Sequence, residues 1–199
     1  MDHAARTIDI YRRHATAFDR QRLRVLSERT WLDGFLALLP AGGTVLDLGC
    51  GMAEPIAAHL VAAGCALTGV DTSPAMLALA RIRFPGHRWI EADMRGLSLD
   101  ERFDGILAWG SFFFLTPDQQ RTMFPVFAAH AKLSTALLFT SGPAAGEAWG
   151  AFEGEPLYHA SLDPDEYRSL LADNGFRVLR HVAQDPDCDR HTVWLARRR

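Results

Sequence analysis

The chain has 199 residues, 48% of them apolar, which suits one domain with a sizeable core and is too few for two ordinary ones. A formal charge of -3 lacks the basic excess of phosphate binders, so no nucleic-acid partner is expected, and Arg197, Arg198 and Arg199 read as a solvated end. The dispersed Cys50, Cys65 and Cys188 form neither a zinc-type pair nor a disulfide framework, and neither a signal-peptide core nor a stretch of bilayer length is visible, so the expectation is a reduced, cytoplasmic location without a membrane partner.

Residues 1–43 read as an N-terminal helical cap or lid. Tyr11, His14 and Phe18 share one helical face, which either packs on a sheet or covers a ligand. Ser27 stands where it would cap a helix whose apolar stripe is Trp31, Leu32, Phe35, Leu36 and Leu39. From Thr44 short apolar runs alternate with amphipathic segments, the mark of βαβ units around a parallel sheet. Strands are expected at Thr44–Leu48, Ala66–Val70, His87–Ile90, Phe103–Ala108 and Thr135–Thr140. Helices are expected near Glu54–Ala63, after a Ser73 cap with Pro74 as first residue, and from about Pro117 to Ala131. Ser141–Leu162 reads as a long loop, long enough to suggest a functional one. A helix over Asp163–Asn174, ended by Gly175, precedes strands at Phe176–Val182 and His191–Ala196. Their hairpin loop, Ala183–Arg190, would set an antiparallel strand into an otherwise parallel seven-stranded sheet. Residues 44–140 then form a cofactor-binding core, and 141–199 a substrate loop with a C-terminal helix and hairpin.

The informative run is Val45-Leu46-Asp47-Leu48-Gly49-Cys50-Gly51-Met52-Ala53-Glu54. Glycines after a first strand let the backbone turn tightly and approach a ligand, and Asp71, at the end of the second strand, suits the hydroxyls of an adenosine ribose. The dinucleotide fingerprint would need glycine at position 54, where this chain has Glu54. Asp47 would likewise face the phosphates of a dinucleotide. S-adenosylmethionine (SAM) carries no phosphate but has an ammonium, a sulfonium and a carboxylate, so the charge pattern favours it over NAD.

The run LDLGCG, the strand-end acid in TGVDTSPAML, the EADM segment and FDGILAWGSFFFL together resemble the class I SAM-dependent methyltransferases, over roughly Thr44 to the C-terminus. The family often has a third glycine where this chain has Ala53. The resemblance implies an α/β, Rossmann-like three-layer sandwich. It also implies site roles: Asp47, Gly49 and Gly51 at the methionine portion, with Cys50 between them also in the cofactor site, Asp71 and Thr72 at the ribose, and Met76 near the adenine. Asp93 would bond the adenine amino group between Ala92 and Met94, and Trp109, Gly110 and Ser111 would lie beneath the methyl group. Met76 and Met94 equally suit plain core filling.

An acceptor site would draw on Tyr11, Ser111 and Phe112 and on the long loop with Glu147, Trp149, Tyr158 and His159. The loop's acidic balance points to a neutral or cationic small molecule, unless the loop is simply solvated. Candidate bases are His159, His14 and His130, with Tyr158 as an orienting group. Asp185, Asp187, Cys188, Asp189 and His191 match no zinc spacing and read as a polar turn, so no metal is expected. The expected activity is methyl transfer from SAM to a small molecule, leaving S-adenosylhomocysteine, by a monomer or homodimer. A non-catalytic SAM-binding domain and an NAD(P)-dependent oxidoreductase are the competing readings. Trp109-Gly110-Ser111-Phe112 does not match the Asn/Asp-Pro-Pro-Tyr/Phe pattern of many enzymes that methylate base amino groups.

Overall fold

The computed structural model describes residues 3–199. Its strands are β1 (Thr44–Leu48), β2 (Ala66–Asp71), β3 (Arg88–Glu91), β4 (Phe103–Ala108), β5 (Ala131–Ser141), β6 (Gly146–Phe152), β7 (Glu155–Ser161), β8 (Phe176–Val182) and β9 (Thr192–Arg198). Its helices are α1 (His3–Arg13), α2 (Ala15–Gln21), α3 (Arg29–Leu36), α4 (Ile56–Ala62), α5 (Pro74–Arg83), α6 (Pro117–Ala129) and α7 (Pro164–Asp173).

Seven strands form one sheet in the order β3-β2-β1-β4-β5-β9-β8. Every pairing from β3 to β5 is parallel, and β9 runs antiparallel to both β5 and β8. Successive residues of the central strands serve opposite faces. Val45, Ala136 and Leu138 pack with Trp31 and Phe35 of α3, Leu60 of α4 and Leu77 of α5. Leu46, Leu137 and Phe139 pack with Phe124 and Phe127 of α6 and Tyr167 of α7. The result is the expected three-layer α/β sandwich. The strand order reverses between β1 and β4, and ligands of open sheets bind at the carboxyl ends of strands flanking such a point.

Three local expectations need correction. Ser141–Leu162 is not a loop: β6 and β7 pair as an antiparallel hairpin, with Phe152 opposite Glu155. Its two turn residues, Glu153 and Gly154, both have positive φ, the conformation that lets a two-residue turn follow strand twist. Ser27 does not cap α3; the cap position is Glu28, and the Ser27 hydroxyl donates to Glu28 and Asp189 instead. Arg197 and Arg198 are not a loose end, because their backbone extends β9 between β5 and β8.

The Tyr11, His14 and Phe18 face is split between two helices, since α1 ends at Arg13 and α2 starts at Ala15. The Tyr11 ring meets Phe18, Phe114 and Phe152 at 5.3–5.5 Å between centroids. Its neighbours therefore belong to α2, the segment after β4 and the β6–β7 hairpin.

Candidate functional site

The carboxyl ends of β1 and β2 are bound to one another through short contacts. Beyond Leu48 the chain passes through three positive-φ residues, Gly49 (77°), Gly51 (52°) and Ala53 (75°). A side chain on Gly49 would put its Cβ 2.3 Å from the Ser111 Cβ, so glycine is required there by space as well as by backbone. The Gly49 and Cys50 amides donate to the Val70 carbonyl at 2.8 and 3.1 Å. The Gly51 amide donates to Asp71 Oδ2 and the Ser73 amide to Asp71 Oδ1, both at 2.8 Å. Asp71 thus fixes the glycine turn and the start of α5 with one carboxylate, and each oxygen keeps a further lone pair. The Ser111 hydroxyl, after β4, donates to the Leu48 carbonyl at 2.6 Å and closes the group.

These segments form one wall of a cavity of about 400 Å³. Asp47, Gly49, Cys50, Gly51, Asp71, Thr72, Met76, Ala92, Asp93, Met94 and Trp109 all line it. Asp47 is 5% exposed, and its carboxylate has no hydrogen bond or ion pair to another described residue. Burial, with the nearby Asp71 charge, pushes its carboxyl up to about 7. Burial also raises Asp71, against the pull of the Ser73 and Gly51 amides. Burial, with the charges of Asp47 and Asp71, puts the Cys50 thiol well above its ordinary value. Asp93 is gripped by the Arg95 guanidinium at 2.6–3.0 Å. Glu54, where a dinucleotide site would have glycine, lines the same space and pairs with Arg24 and Arg83.

The opposite wall comes from distant parts of the chain. α1 and α2 contribute Ala4, Thr7, Ile8, Tyr11 and Phe18, followed by Arg22. The 3-10 turn after β4 contributes Phe113 and Phe114, β7 contributes Leu157 and His159, and the segment before β9 contributes His191. Gln120 on α6 is fully buried and donates to the carbonyls of Leu115 and Ala160 at 2.9 and 2.8 Å. That bridge holds Phe114 and His159 side by side, with their rings 5.1 Å apart. Burial lowers the pKa of both His159 and His191, so both imidazoles are neutral near pH 7. Burial pushes the Tyr11 phenol up to about 12.

Residues 45–132 match the family described as a methyltransferase domain. Over 82 residues the chain is 39% identical to trans-aconitate 2-methyltransferase from Escherichia coli, taking in 41% of this chain and 32% of that protein; the match spans about a third of the relative's length. Among solved structures, an amino pentose methyltransferase from Micromonospora echinaspora, bound to SAM, superposes with a TM-score of 0.71 at 20% identity, covering 94% of this chain and 96% of that one. Magnesium protoporphyrin IX methyltransferase from Synechocystis, also with bound SAM, gives 0.74 at 18% identity, covering 100% and 98%. The chain has the class I SAM-dependent methyltransferase fold.

Several residues expected at the acceptor side of this methyltransferase fold lie elsewhere. Phe112 is fully buried among Phe124, Phe127, Phe139 and Tyr167, because the 3-10 turn directs it into the core and its two neighbours toward the cavity. Tyr158 is buried against the His3 ring, not in the cavity, because alternation along β7 gives the cavity Leu157 and His159. Trp149, on β6, is 52% exposed and touches His3 and Tyr158 by its edge, and Glu147 on the same strand is exposed. His14 is bound to Glu155 at 2.8 Å and does not line the cavity. His130 is buried at the end of α6, where Nε2 accepts from the Leu99 amide at 2.9 Å. Ser111 and Tyr11 do line the cavity. In the acidic turn, the Asp185 carboxylate accepts from the Trp31 indole and the Asp187 amide.

Sequence reasoning missed Thr7, Ile8, Arg22 and His191 as cavity residues, whereas Phe113 and Phe114 lie in the segment after the fourth strand that the sequence places on the ligand side. For the α1 set a signal existed, since Ala4, Thr7, Ile8 and Tyr11 recur at helical spacing. For Arg22 and His191 no local pattern marks the position.

Proposed function

We propose that this chain transfers a methyl group from SAM to a small-molecule acceptor. The observation that carries the reading is Asp47, a buried carboxylate on the cavity wall without a protein partner. A lone carboxylate in such a place needs a cation, and an amino-acid ammonium is the right size and charge. The neighbouring groups fit the rest of SAM. Asp71 has lone pairs for the ribose hydroxyls, the Gly49–Gly51 turn gives close backbone approach, and Met76 and Met94 flank the turn. No observation favours a dinucleotide, since Asp47 and Glu54 both set negative charge beside the glycine turn.

When bound, SAM supplies an electrophilic methyl group on a sulfonium: the carbon–sulfur bond breaks with its electron pair returning to sulfur as the acceptor atom forms the new bond. The task of the protein is alignment and exclusion of water. Asp47 and Asp71 fix two ends of the cofactor, and Trp109 and Ser111 line the adjoining space. The α1–α2 segment acts as a cap over it. It is tied to the hairpin by Arg13 and His14 on Glu155, and to the cofactor side by the Arg12 guanidinium on the Thr72 carbonyl. His159, neutral and on the cavity wall, is placed to take a proton from a hydroxyl or amine acceptor.

Isothermal titration with SAM and S-adenosylhomocysteine, against NADH and NADPH as controls, tests the proposal. Micromolar binding of the adenosyl ligands alone is expected. Binding of a nicotinamide cofactor, or none of either, overturns it.

A further inference from the structure

The carboxylates and the cations of the cavity are segregated. Asp47, Glu54, Asp71 and Asp93 all sit on the wall assigned above to the cofactor. The acids of the 141–162 segment, which suggested a neutral or cationic acceptor, do not line the cavity: Glu153 bonds Gln21 and Glu155 bonds Arg13 and His14. Among the described residues, the one permanently charged group on the opposite wall is Arg22.

Arg22 is held at the end of α2, where its amide donates to the Phe18 carbonyl at 2.8 Å. Its side chain is 32% exposed and makes one protein bond, from Nη2 to Glu28 Oε1 at 3.2 Å. That is long for a charge-assisted bond, and Glu28, itself 2% exposed, also accepts from the Ser27 hydroxyl at 3.1 Å. The remaining guanidinium N–H groups have no acceptor among the described residues. Phe18, Phe113 and Phe114 give the same wall apolar surface.

We infer that the acceptor is an organic acid, its carboxylate held by Arg22 and its apolar body set against Phe18, Phe113 and Phe114. The inference rests on the methyltransferase reading above. A guanidinium fork matches a carboxylate in shape and charge. A single negative charge also suits a site that already holds Glu28 better than a phosphate dianion would. The carboxylate here is the anchor that selects the acceptor. Its pairing with Arg22 lowers its own reactivity and leaves another atom of the molecule to face the methyl group.

Matched acids and amides test it. The protein, saturated with S-adenosylhomocysteine, is titrated with benzoate and benzamide, then with trans-cinnamate and cinnamamide. The acids are expected to bind at least about tenfold more tightly than the amides, with the preference lost in Arg22→Gln and partly kept in Arg22→Lys. If Arg22→Gln alone fails to melt cooperatively, because Glu28 is left buried and unpaired, the Arg22→Gln/Glu28→Gln double variant removes both charges. Equal binding of acid and amide, no binding of either acid, or an acid preference surviving in the glutamine variants overturns the inference. Failure of S-adenosylhomocysteine to bind at the outset instead overturns the methyltransferase reading.

Discussion

The two walls of the cavity are built by different rules. On the cofactor wall the parts lie close in sequence and are joined through backbone: Asp71 bonds the amides of Gly51 and Ser73, and Val70 takes those of Gly49 and Cys50. On the opposite wall the parts come from α1, α2, the turn after β4, β7 and the approach to β9, and they meet through side-chain packing. A backbone-built wall tolerates few residue types at its turning points. A packed wall tolerates many, which is how one fold takes different acceptors while keeping one cofactor.

The contrast is sharpened first by Phe112→Ala. Phe112 belongs to the core beneath both walls, so the substitution is expected to cost about 3–5 kcal/mol of stability in thermal or denaturant unfolding. A loss confined to acceptor binding would place Phe112 back in the site. Gly49→Val is expected next. The Cβ collides with Ser111 and the backbone holds a positive φ, so overpacking and strain together are expected to cost about 2–5 kcal/mol of stability in denaturant unfolding, with SAM binding weakened as the turn is displaced. Gly51, where a Cβ would come no closer than 3.5 Å to Met76 Sδ, is less tightly confined. Asp71→Asn removes the charged acceptor proposed for the ribose hydroxyls, and about 1.5–3 kcal/mol of SAM binding should go with it in titration. The smallest effect is expected from Glu155→Gln, which loosens the link between cap and hairpin. Because the ion pair is only partly buried, SAM affinity should change by less than about threefold, and a larger change would show that the two walls are not separable.

The same contrast explains what was legible in the sequence. β1, β4 and β8 were readable to the residue, and Asp47, Gly49 and Asp71 marked one wall, because positive φ and buried charge restrict which residues fit. Ala53 shows the limit of that code. It holds φ at 75° without being glycine, so the turn is enforced by its surroundings. The β6–β7 hairpin was hidden because β6 is exposed on nearly all positions and lacks the half-buried alternation that marks a strand. Its only local signal was Glu153-Gly154. The Phe112-Phe113-Phe114 run has no period at all, and a 3-10 turn decided which ring entered the core. Arg22 and His191 reach the cavity through tertiary folding, which no local spacing reports.

Asp47 is the residue on which the account depends. Its folded-state pKa, near 7 and above the ordinary 3.8, means that the ligand-free protein loses stability through this group as pH rises from 4 through 7. Pairing with an ammonium requires the ionised form, so binding below pH 7 must expel a proton. The decisive measurement is the affinity for SAM at pH 6 and pH 8, in the wild type and in Asp47→Asn. The wild type is expected to bind about tenfold more weakly at pH 6, and the variant to bind weakly at both with no pH dependence. A flat wild-type profile, or an Asp47→Asn protein that binds SAM as tightly as the wild type, would contradict the assignment of Asp47 to the cofactor ammonium.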